Sequence, residues 1–189
     1  MNRWTDQMYD HKVDVVHGPP TSHRLEYFAK IGEGETYNRG ACVSADSNGF
    51  IVAGCAAGTV GNRPMPMIAL QGSSDLDVYT DQYNGGDAVG SALACTGGYE
   101  VATTEFVKVS EGSPVAYAVN DLLTCDASGN FTKAGVDAGG ASVPICGVVS
   151  VATNGVARIN ALGTKTSSNY DVPLLTFWTA YLPCAGSAQ

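Results

Sequence analysis

The chain reads as all-β: an antiparallel β-barrel or sandwich, jelly-roll-like or related, with an extended N-terminal arm. Three observations predict this. Glycine is frequent at 23 of 189 residues, charge is low at 15% and 44% of residues are apolar, a mixture that suits short strands joined by tight turns and is too apolar for disorder. A strand-turn-strand unit occurs twice. Finally, Tyr99, Val101, Thr103, Glu105, Val107 and Val109 alternate with more polar positions, the period of a half-exposed antiparallel strand.

Residues 1–23 form the predicted arm, with mixed charge, three histidines (His11, His17, His23) and the breaker run Gly18-Pro19-Pro20. Its apolar residues Trp4, Met8, Tyr9, Val13, Val15 and Val16 are too few to build a core and suit docking on a partner. The body, 24–189, opens on a strand at Leu25–Lys30. The following Gly32-Glu33-Gly34-Glu35 lacks a third glycine and a helix to follow it, and its acids oppose phosphate, so it is no nucleotide loop.

The repeated unit spans about 42–70 and 123–149. The first copy reads Cys42-Val43-Ser44-Ala45-Asp46-Ser47-Asn48-Gly49-Phe50, then Ala53-Gly54, then Pro66-Met67-Ile68-Ala69-Leu70 after a glycine-rich loop. The second reads Leu123-Thr124-Cys125-Asp126-Ala127-Ser128-Gly129-Asn130-Phe131, then Ala134-Gly135, then Pro144-Ile145-Cys146-Gly147-Val148-Val149. Asp46 and Asp126 are 80 positions apart, Pro66 and Pro144 are 78 apart. An aspartate carboxylate accepts backbone N–H groups two residues on and glycine takes positive φ without a Cβ clash, so each copy is a turn, with Phe50 and Phe131 restarting the next strand. A calcium loop needs further oxygen ligands and a closing glutamate that neither copy has.

Further along, Asp75, Asp77 and Asp81 read as an acidic surface loop, and Gly85-Gly86 and Gly97-Gly98 bracket a short segment. Val115–Val119 precedes the second copy. Asn154-Gly155 predicts a tight hairpin with a return strand over 156–162. A polar linker, 163–169, leads to a final apolar run, 172–182, whose Phe177, Trp178 and Tyr181 serve the core or a contact face.

Net charge is −8. Five basic and six acidic residues precede Gly40; five basic and twelve acidic follow, so the body repels phosphate backbones and anionic membranes, and neither nucleic acid nor membrane is an expected partner. The start is polar, without a secretory apolar region, and no run reaches membrane-spanning length. The six cysteines are therefore expected as reduced, buried thiols. The absence of Cys-x-x-Cys, and histidines confined to the arm, argue against zinc; no metal or cofactor is expected. Asn130-Phe131-Thr132 matches a glycosylation sequon without a secretion signal to make it meaningful. Gly112-Ser113-Pro114 is no nucleophile elbow, a histidine-dependent triad would have to recruit the arm, and Glu100, Glu105 and Glu111 carry no mark of acid-base work. The chain is not expected to be an enzyme.

Phe28-Ala29-Lys30-Ile31-Gly32-Glu33-Gly34-Glu35-Thr36-Tyr37-Asn38-Arg39-Gly40 followed by a Val-x-x-Asp-x-x-Gly turn resembles the capsid decoration, or cement, proteins of tailed bacteriophages. The second half, from Gly112-Ser113-Pro114-Val115 through Asp126-Ala127-Ser128-Gly129 to Ile145–Val149 and Asn154-Gly155, is similar to the same family, and the resemblance covers most of 25–162. It implies a structural virion protein on the outer capsid surface, made in the host cytoplasm, a homotrimer that cross-links neighbouring major capsid protein subunits. The expected partner contacts are Trp4, Met8, Tyr9, Val13 and Val15 in the arm and Phe177, Trp178 and Tyr181 near the end. The alternatives are a carbohydrate-binding or adhesin-like β module, and another phage structural protein of the tail or fibre base.

Overall fold

The computed structural model describes residues 13–18, 26–55, 65–74, 79–81, 87–107, 117–134, 144–151 and 175–182. Among them there are strands and turns and no helix, hence no helix long and apolar enough to cross a membrane. The strands are β1 (Val13–His17), β2 (Glu26–Lys30), β3 (Cys42–Ala45), β4 (Ile51–Ala53), β5 (Met67–Ala69), β6 (Tyr79–Asp81), β7 (Asp87–Ala94), β8 (Glu100–Thr103), β9 (Leu122–Cys125), β10 (Phe131–Lys133), β11 (Ile145–Val149) and β12 (Leu175–Leu182). They form two antiparallel sheets: β2-β7-β5-β3-β4, with β6 also on β7, and β1-β8-β12-β11-β9-β10. Neither is a closed barrel.

The duplication goes much further than the turns. In order along the chain, the first sheet's β2, β3, β4, β5 and β7 occupy the same places as the second sheet's β8, β9, β10, β11 and β12. The backbone bonds repeat at an 80-residue offset. The N–H of Gly40 donates to the Ala69 carbonyl at 2.7 Å and that of Asn120 to Val149 at 2.9 Å; Ala69 donates to Ala41 and Val149 to Asp121, both at 2.9 Å; Gly54 donates to Cys42 at 2.9 Å and Ala134 to Leu122 at 2.8 Å. Even the left-handed residue recurs, Gly40 at φ +88° and Asn120 at +72°, asparagine being the side chain that best tolerates that region after glycine.

The turns form as their chemistry dictates. Asp46 Oδ1 accepts the N–H groups of Asn48 and Phe50, both at 2.8 Å, and Asp126 Oδ1 those of Ser128 and Asn130 at 2.9 and 2.8 Å. Gly49 and Gly129 follow at φ +80° and +83°. The strand restarts differ from the sequence reading by one residue. Phe131 opens β10 and is fully buried, but its counterpart is Ile51; Phe50 matches Asn130 and lies partly exposed beneath Lys30 Nζ, 5.2 Å from its ring centroid. The two prolines miss the 80-residue spacing because β11 starts two residues earlier, relative to that offset, than β5.

Each half has an interior lined by equivalent positions. The first holds Ile31, Tyr37, Val43, Ile51, Met67, Ala69 and Ala92; the second Phe106, Tyr117, Leu123, Phe131, Val149 and Phe177. Single parallel bridges, Ile31 to Ile51 and Phe106 to Phe131, join the segment after the first strand of each unit to its third. The volumes compensate. Where the first half has Met67 diagonal across the ladder from the small Ala92, the second has Gly147 diagonal to Phe177: a Cβ on Gly147 would lie 2.4 Å from Phe177 Cδ2. Phe177 takes the space that the methionine side chain fills in the other copy, which keeps total volume while exchanging its source.

Two further expectations are corrected. Among the described residues the alternation from Tyr99 yields the four-residue β8, which pairs with β1 and β12 and is buried on both faces; Val109 lies outside them, and Glu105 follows the strand and accepts from Asn38 Nδ2 at 3.0 Å. Within the predicted arm, Val13–His17 is not loose: it pairs with β8, Val15 opposite Val101, because an unpaired edge with an apolar face beside the core offers it hydrogen bonds and burial together. Asp75, Asp77, Asn154-Gly155, 156–162 and the 163–169 linker lie outside the described residues.

Candidate functional site

Five cysteines converge where the two halves meet. Cys42 opens β3 on the outward face of the first sheet, and Cys55 and Cys95 follow β4 and β7; Cys125 ends β9 and Cys146 sits in β11 at a register shift against β12. The seam is fixed by backbone: the Cys42 N–H donates to the Gly129 carbonyl at 2.7 Å. The Sγ atoms of Cys42, Cys125 and Cys146 all lie within 4.8 Å of one another. Cys55 hydrogen-bonds Cys125 through its thiol. All five are free thiols, and all but the half-buried Cys125 are buried.

Their protons are not equivalent. Hydrogen bonds from Cys125 and then Cys42 hold Cys146 below the usual thiol range against the opposing effect of burial. Cys42 is pushed up by its bonds to Cys125 and Cys146 and by burial. Cys55 is raised by its bond to Cys125 and by burial, and Cys95 by burial first. A cluster of sulfurs at a mostly buried seam, with no carboxylate in the set, is a soft-ligand environment able to coordinate a thiophilic ion or to oxidise pairwise.

The five described cysteines are free thiols, as expected, and four of them are buried while Cys125 is half-buried; the argument against zinc from spacing does not describe their geometry. A Cys-x-x-Cys motif brings thiols together locally, whereas here five separate strand ends do so through the packing of two sheets. The sequence held one faint signal. None of the cysteines recurs at the 80-residue offset, so all of them occupy positions where the two copies differ.

A second feature lies on the outward face of the second sheet. Leu122, Val148, Trp178, Glu100 and His17 stand opposite one another in succession across β9, β11, β12, β8 and β1, and directly opposed residues share a face. Leu122 and Trp178 are each 42% exposed. The His17 ring stacks on Trp178 at 6.4 Å, and its Nε2 lies 3.5 Å from the nearly buried Glu100 carboxylate. The matching row of the first sheet is Cys42, Ile68, Leu93 and Glu26. There Cys42, Ile68 and Leu93 are fully buried, in one cluster with the second half's interior.

Of the predicted contact residues, Phe177 is fully buried against Phe131 at 4.7 Å and belongs to the core, while Trp178 faces outward. Val15 packs at the edge of the core. Trp4, Met8 and Tyr9, and the side chains of Val13 and Tyr181, lie outside the described residues.

No protein-family model and no curated protein matches this chain.

Proposed function

We propose that the chain is a structural virion protein that binds the outer surface of a tailed-phage capsid, self-associates as a homotrimer, and ties neighbouring major capsid protein subunits together. The observation that carries this is the inequivalence of the two outward rows. The first half's row is the internal interface of the molecule, whereas Leu122, Val148 and Trp178 present the same positions to the outside, with Leu122 and Trp178 larger than their counterparts Cys42 and Leu93. A face used once to join two units head to tail, and offered again on the second unit, suits association with a further copy. In this reading each half is a barrel-like unit, the two stacked into a rigid platform. The acidic body suits an exterior position away from packaged DNA, and the apolar residues Trp4, Met8 and Tyr9 suit a tether that docks on capsid protein. With three such tethers, effective concentration multiplies modest individual contacts.

Light scattering on the purified chain, followed by mixing with bare capsids and sedimentation, tests this. A trimer that co-sediments with capsids supports it; a monomer that ignores capsids and binds glycans overturns it in favour of a carbohydrate-binding module.

A further inference from the structure

The cysteine seam carries an inference independent of the capsid reading. We propose that Cys42, Cys125 and Cys146, with Cys55 as the fourth ligand, form a structural zinc site that clamps the two halves of the molecule together.

The ligand set selects the class of ion. Four sulfurs and no carboxylate or imidazole favour a soft, thiophilic cation. Tetrahedral zinc bound through four cysteines is closed, leaving no position for water or substrate, as suits a buried seam. Zn–S bonds of about 2.3 Å place ligand sulfurs roughly 3.8 Å apart in a tetrahedron. The three clustered Sγ atoms already lie within 4.8 Å of one another, so each moves by about 1 Å or less to close on the ion, a shift within the reach of χ1 adjustment. Cys55, a hydrogen-bond neighbour of the Cys125 thiol, lies outside that 4.8 Å group and completes the set by swinging its Sγ inward. Cys95, above the same seam, remains outside the four.

The site also fits the construction of the fold. Two of the ligands belong to the first half and two to the second, so the ion bridges units that also meet through apolar packing, the Cys42–Gly129 backbone bond, and the hydrogen bonds from Thr103 Oγ1 to the Gly40 carbonyl and from Asn38 Nδ2 to Glu105. Binding forms four Zn–S bonds and releases the thiol protons to solvent; no oxidant or reductant is involved.

The test uses the full chain, expressed with zinc supplementation and purified under reductant without chelator. Elemental analysis is expected to find one zinc per chain, Cys42→Ser and Cys146→Ser to lose it, and Cys184→Ser to retain it. Replacement by cobalt(II) is expected to give the strong thiolate charge-transfer bands of a four-sulfur tetrahedral site. If the serine variants fail to fold, the unsubstituted chain still decides: a strong chelator should lower its melting temperature, and added zinc should restore it. A chain that carries no more metal than its serine variants, an unchanged melting temperature on chelation, or a disulfide among the five cysteines in the purified protein overturns the proposal.

Discussion

Gly129 is clamped against Cys42: its carbonyl accepts the Cys42 N–H at 2.7 Å, and a Cβ added to it would stand 2.5 Å from the Cys42 carbonyl oxygen. The equivalent Gly49 has the same left-handed backbone but open surroundings, its nearest neighbour being Tyr27 Oη at 3.3 Å. Gly49→Ala is thus expected to cost about 1–2 kcal/mol, the strain of a left-handed alanine. Gly129→Ala adds a backbone collision at the seam and is expected to cost about 3 kcal/mol or more. Urea denaturation of the two variants side by side measures the difference; equal losses would show that the seam yields easily.

The exchange of Met67 and Ala92 for Gly147 and Phe177 predicts a coupled pair. Phe177→Ala is expected to lose about 3–5 kcal/mol through the cavity it leaves. Gly147→Met alone collides with Phe177, but in the Phe177→Ala background it supplies the missing volume. A double-mutant cycle by chemical denaturation should therefore find the double variant more stable than the sum of the single losses requires, by roughly 1–3 kcal/mol. Additive losses would mean that the two halves do not share one packing plan.

Carboxylates in two turns set an acid limit. The Asp46 carboxyl is held below its usual value, chiefly by the Phe50 N–H and then by Asn48, and Asp121 by Lys133 Nζ at 2.7 Å and the Ala118 N–H. Because the folded values are depressed, their contribution is present above the unfolded carboxylate range of about pH 4 and is lost as pH falls through the lower folded values. Asp46→Asn and Asp121→Asn should each flatten the decline of stability below about pH 4 relative to the unaltered chain. Stability measured from neutral pH to about pH 2 checks this, and parallel curves would refute it.

Trp178→Ala combined with Leu122→Ser removes the exposed row while leaving the interior intact. Stability is expected to change by less than about 1 kcal/mol, whereas the self-association proposed above should weaken at least tenfold by analytical ultracentrifugation. Unchanged association would place the contact elsewhere.

The sequence made the turns legible because their chemistry is local: Asp46 and Asp126 need only residues two and four positions on. The duplication was legible for the same reason, yet only its punctuation showed. β7 escaped notice because Asp87–Ala94 is built from alanine, glycine and serine, whose weak strand propensity is overridden by pairing with β2, β5 and β6. β8 was seen but misjudged, since alternation reports a half-exposed strand only when nothing covers the other face, and β1 with the seam covers it. The cysteine cluster was invisible in spacing because its members come from five separate elements. The outward role of Trp178 and the core role of Phe177 were left together as one aromatic group, and only the register separates them.

β1 adds a temporal consequence. Val15 pairs with Val101, so β1 waits 86 residues after its synthesis for its partner, and in that interval the described strands of the first sheet are made. Folding of the second sheet thus includes the capture of a strand made before either sheet, a non-local step. Until that capture β8 lacks its β1 neighbour, and the strand sequence that pairs there is carried by every other copy as well.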